Sequence, residues 1–94
     1  MLPVIFRREK DGTVIAFFPT ILADPNIGNC LCYCHIGQHC AASKEFYQKD
    51  TRSASPYEYR ELFTELVERG YSDLQIVQKW LPKHDIERLS ILSK

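Results

Sequence analysis

Ser55-Pro56-Tyr57-Glu58 dictates where a helix begins. Serine accepts the orphan amide of the first turn, proline has no N–H to leave unpaired at the first helical position, and glutamate three residues on closes a capping box. From there Tyr59, Leu62, Phe63, Leu66 and Val67 recur at i, i+3, i+4, i+7 and i+8, while Glu58, Arg60, Glu61, Glu65, Glu68 and Arg69 take the other face, and Gly70 is the stop. A helix with one apolar stripe needs a second layer. Burying those five side chains against a sheet contributes on the order of 1.5–3 kcal/mol each.

The sheet is written in the first third of the chain. Residues 3–9 and 14–19 flank Lys10-Asp11-Gly12-Thr13, and Asp-Gly between β-rich runs favours a two-residue hairpin turn. That register pairs Lys10 with Thr13, Arg8 with Ile15, Phe6 with Phe17 and Ile5 with Phe18, and both faces carry apolar residues. One face meets the helix; the other is covered by the tail or serves as a contact surface. Pro19 is expected to end the second strand, and residues 23–29 form a loop rich in Pro, Asn and Gly. A third strand, Cys30 to Ile36, sets Leu31, Tyr33 and His35 on one side and Cys30, Cys32, Cys34 and Ile36 on the other. Residues 37–54, with Phe46 and Tyr47 as anchors, read as an ordered loop or a short helical turn. Leu74–Trp80 reads as a fourth strand with Leu74, Ile76, Gln78 and Trp80 on one side, against the alternative of a helix capped by Asp73. Apolar positions 86, 89 and 92 give a short C-terminal helix. The expectation is one α+β domain over residues 1–94: an antiparallel sheet of three or four strands that starts with a hairpin, one long amphipathic helix across it, and a helical tail at 81–94.

Composition removes several function classes. Lysine plus arginine and aspartate plus glutamate are 12 each, so the formal net charge is zero and no global field gathers nucleic acid or anionic lipid. Nucleic acid is therefore not an expected partner, while self-association into a homo-oligomer meets no charge barrier. The N-terminal apolar run is too brief for a signal h-region, and the longest apolar stretch, Val14 to Phe18, falls far short of the ~20 residues of a membrane span. A cytoplasmic protein is expected, with its four cysteines as free thiols or ligands rather than disulfides.

Asp11-Gly12-x-Val14-Ile15-Ala16-x-Phe18-Pro19, Tyr33-x-His35-Ile36-Gly37-Gln38-His39, Glu58-Tyr59-x-x-Leu62 and Gly70-Tyr71 together resemble a group of small proteins encoded in phages, prophages and plasmids that carries no assigned activity. The resemblance spans about residues 3–80. It implies an accessory protein of a mobile element that acts on a host, phage or defence protein by binding it. The cysteine density and the tail after Trp80 depart from that pattern.

All four cysteines and two of the three histidines fall between Cys30 and Cys40. No cofactor is expected; zinc is the candidate to weigh, since thiolate and imidazole are its preferred donors, and Cys32, Cys34, His39 and Cys40 are the set that a turn at Gly37 could gather. Against it, paired C-x₂-C knuckles are missing and alternate strand residues point to opposite faces. A thiol enzyme would activate Cys40 with His39, yet no orienting Asp or Asn accompanies them, so no catalytic residue is assigned. The third reading is a recognition element made of Tyr33, His35, Gly37, Gln38 and His39, offering donors and acceptors without fixed charge. Arg7, Arg8 and Lys10, with Lys44, Lys49 and Arg52, read as a solvated edge rather than a phosphate track. The balance favours a non-enzymatic binding protein, with a zinc-binding or cysteine-dependent enzyme as the alternative.

Overall fold

The computed structural model describes residues 1–26, 28–34 and 37–93. Two hairpins come first: β1 (Leu2–Glu9) with β2 (Val14–Asp24), then β3 (Asn29–Cys34) with β4 (Gln38–Ala42). They are followed by α1 (Lys44–Asp50), β5 (Thr51–Ser53), α2 (Pro56–Glu68), β6 (Leu74–Ile76), α3 (Pro82–Leu89) and a 3-10 turn at Ser90–Ser93. The sheet runs β4-β3-β2-β1-β5 in antiparallel order, and β6 joins β1 in parallel. The α+β class and the leading hairpin stand, with six strands where three or four were expected.

The first hairpin is one residue out of the expected register: Ile5 faces Phe17, Phe6 faces Ala16, Arg7 faces Ile15 and Arg8 faces Val14. The cause is a three-residue loop. The Glu9 amide donates to Thr13 O at 2.8 Å, and Gly12 takes a φ of +94°, the conformation that closes such loops with a bulge. Pro19 does not end β2. The strand continues to Asp24 through register shifts between Phe18 and Leu22 and between Leu22 and Asp24, the kind of irregularity at which a strand tolerates proline.

Alternation along these strands builds a core on each face of the sheet. On one, Val4, Phe6, Ala16, Phe18 and Tyr33 meet Leu62 and Leu66 of α2, with Phe6 stacked on Tyr59 at 4.4 Å and Phe18 on Tyr71 at 5.0 Å. The capping box forms as expected, Ser55 Oγ accepting from the Glu58 amide and Glu58 from the Ser55 amide. Val67, expected in the buried stripe, is 48% exposed at the stripe's margin.

The opposite face is closed differently. Ile5, Ile15, Phe17, Cys30 and Cys32 pack against Phe46 and Tyr47 of α1 and against Trp80. Where an ordered loop or a short helical turn was expected over residues 37–54, the short helix α1 forms between two strands, β4 and β5. Ser43 caps α1 by accepting from the Phe46 amide at 3.1 Å, and Arg7 stacks over Tyr47 while donating to Tyr47 O and Thr51 O at the helix's end. The strand expected over 74–80 ends at Ile76, so Leu74 packs on the α2 side and Trp80 on the other.

The C-terminal helix is inverted relative to its apolar spacing. Ile86 is 72% exposed and Leu89 and Leu92 face solvent, whereas His84 and Arg88 are buried. Arg88 Nε donates to Gly28 O at 2.9 Å and Nη1 to Pro19 O at 2.8 Å, Nη2 pairs with Asp85, and the guanidinium lies over Trp80. Asp85 also accepts from Trp80 Nε1 and Lys44 Nζ. Those fixed carbonyls and the indole need donors and an acceptor that leucine cannot supply, which decides the helix's rotation.

Candidate functional site at the second hairpin

The β3–β4 hairpin carries the Cys/His run, and alternation divides the run between the two faces of the sheet. On the α2 face Tyr33 is fully buried, and its hydroxyl donates to Glu65 Oε2 from the helix. The Gly37 amide donates to the same oxygen at 3.3 Å. Gly37 has φ +73°, a left-handed conformation that favours glycine, and the Arg69 guanidinium lies over it. His39 packs edge-on against Tyr33, and its Nε2 shares a hydrogen bond with Tyr71 Oη at 2.8 Å. Desolvation, then the Glu65 carboxylate, pushes the Tyr33 phenol above its ordinary range; burial does the same for Tyr71. Both hydroxyls keep their protons and serve as braces.

On the other face Cys32 and Cys40 are direct cross-strand partners, Cα to Cα 5.1 Å, and form a disulfide. The expectation that the cysteines are free thiols or ligands rather than disulfides is corrected here for this pair. Spacing along one strand leaves neighbouring cysteines too far apart to bridge, but across a hairpin turned at Gly37 the pair is within bonding reach. Cys30 and Cys34 are free. Burial pushes the Cys30 thiol up to about 12, with the Arg88 charge opposing, and makes it inert at neutral pH. Cys34 is half-buried, and its thiol is raised first by burial and then by the Glu9 carboxylate. Its Sγ lies 3.8 Å from Cys40 Sγ. The three sulfurs of Cys32, Cys34 and Cys40 line one cleft of about 400 Å³ with Glu9, Asn29 and Phe46.

The expected recognition residues separate accordingly. Tyr33, Gly37 and His39 come together on α2 through Glu65 and Tyr71; Gln38 is opposite Cys34 and belongs to the sulfur face; His35 lies outside the described residues. The zinc set of Cys32, Cys34, His39 and Cys40 does not converge, because two of its sulfurs are bonded to each other and His39 points through β4 to Tyr71. Among the described residues no cluster of three or more His, Cys, Asp or Glu side chains is arranged to hold a metal ion.

What sequence reasoning missed is the strand itself. In β4, residues 38–41 are exposed, and among the described residues only β3 pairs with it. The opposite margin of the sheet is split between β5 and β6, three residues each. The signal was present in Gln38–Ala42, which alternates across Gly37 against Cys30–Cys34, but its polar composition disguised it.

Comparison with protein-family models, curated proteins and solved structures finds no match to this chain. Among the described residues no helix is long and apolar enough to cross a membrane.

Proposed function

We propose that the chain is a non-enzymatic binding protein that takes an extended segment of a protein partner along the outer edge of β4. One observation carries this reading: an exposed strand edge held from both sides, by the Cys32–Cys40 bond below and by the Tyr33, Glu65, Gly37, His39 and Tyr71 contacts above. An open edge offers unpaired backbone donors and acceptors, and strand addition takes most of its affinity from them. Holding the edge rigid before binding lowers the ordering cost of association. The resemblance to mobile-element accessory proteins supports a host, phage or defence protein as that partner, with modulation of its activity as the consequence.

The experiment is capture from host extract with the wild-type chain and with Ala41→Lys, which places a charge on the exposed edge without disturbing a buried group. The expected result is a partner held by the wild type and lost by the variant at unchanged melting temperature. A partner retained equally by both, or β4-to-β4 pairing of two copies as the only association in solution, contradicts the reading.

A further inference from the structure

The sulfur face of the hairpin has chemistry that edge binding does not use. Cys34 is two residues along β3 from Cys32, so its side chain is on the same side of the hairpin as the existing bond. At 3.8 Å the Cys34 and Cys40 sulfurs are in van der Waals contact. Cys40 belongs to the exposed part of β4, whereas Cys32 is 2% exposed. All three cysteines line the same open cleft, through which protons pass to and from water.

We propose that Cys32, Cys34 and Cys40 form a thiol–disulfide exchange site in which the disulfide migrates from Cys32–Cys40 to Cys34–Cys40. Cys34 gives its proton to water, and its thiolate attacks Cys40 Sγ. The Cys34–Cys40 bond forms as the Cys32–Cys40 bond breaks, and the electron pair of the broken bond stays on Cys32, which takes up a proton. One disulfide and one thiol exist before and after, so no external oxidant or reductant enters. Migration moves the covalent clip toward the Gly37 turn and transfers the free thiol from Cys34 to Cys32, which lines the same cleft. Cys30 takes no part, being buried and held in its protonated form. The site stands independently of partner capture at the β4 edge.

All four cysteines lie between Lys10 and Lys44, in one tryptic peptide, so positions are read by fragmentation of that peptide. The folded, oxidised protein is treated with dilute N-ethylmaleimide at mildly alkaline pH, then reduced and treated with iodoacetamide. Migration predicts that the wild type carries maleimide on Cys34 in some molecules and on Cys32 in others, and that Cys34→Ser carries none on Cys32. It also predicts an intramolecular Cys34–Cys40 bond in Cys32→Ser equilibrated with oxidised glutathione. Should Cys32→Ser fail to fold, the wild-type and Cys34→Ser labels decide alone. Cys32 unlabelled in the wild type, labelled equally in both proteins, or Cys34 and Cys40 left unbonded to each other in a folded Cys32→Ser overturns the proposal.

Discussion

The two faces of this sheet are sealed by different means. The α2 face is closed by one capped helix whose Tyr59, Leu62, Phe63 and Leu66 lie on Phe6 and Phe18, with apolar surface as the main stabiliser. The opposite face is closed by three short pieces, α1, Trp80 and α3, none long enough to be stable alone. They are tied down by directional bonds: Arg88 to two backbone carbonyls and Asp85, Asp85 to Trp80 and Lys44, Arg7 to the end of α1, and the Cys32–Cys40 bridge. A long periodic helix covers a sheet by burial alone, whereas short segments need polar anchors to fix their position.

That contrast is broken or sharpened by substitution. Arg88→Ala removes a buried cation and strands two carbonyls and Asp85, and is expected to destabilise by about 4 kcal/mol in denaturant unfolding, against about 3 kcal/mol for Leu66→Ala on the other face. If Arg88→Ala costs less than 1 kcal/mol, roughly a surface effect, the polar-anchor account of the second face fails. Cys40→Ser opens an eight-residue separation and is expected to lose about 2.5 kcal/mol under oxidising conditions, with little difference from wild type once both are reduced. Acid should weaken the start of α2. The Ser55 amide, then the Arg52 guanidinium, holds Glu58 down to about 2 from its usual 4.5. Its support is therefore complete above the unfolded value and is lost as pH falls from about 4.5 toward 2. A titration of melting temperature for wild type and Glu58→Gln checks it: the two curves should converge at the acid end. Smallest of all, Ile86→Ser should change stability by less than about 0.5 kcal/mol, since Ile86 faces water; a loss typical of a core residue would show that α3 sits the other way round.

The same division explains which parts of the fold were legible in the sequence. The α2 helix, the first hairpin and the alternation of Leu31 and Tyr33 against Cys30, Cys32 and Cys34 are local patterns of capping and period, and they appear where those patterns place them. The register of the first hairpin, β4, α1 and the rotation of α3 were not legible, since each is decided by contacts distant in sequence. Ile86, Leu89 and Leu92 have helical spacing yet face out, because Gly28 O, Pro19 O and Trp80 claim Arg88. The candidate site was legible in position but not in arrangement. Tyr33, Gly37 and His39 come together, but the hairpin sends His39 and the sulfurs of Cys32, Cys34 and Cys40 to opposite faces and pairs two thiols that the strand alone would keep apart.

Hydrogen–deuterium exchange across residues 38–42, measured on the free protein and again with the captured partner bound, tests the role of the β4 edge most directly. New protection should appear in those amides while β1, β2 and α2 stay as they were. Protection gained elsewhere, with β4 exchanging as fast bound as free, would contradict it.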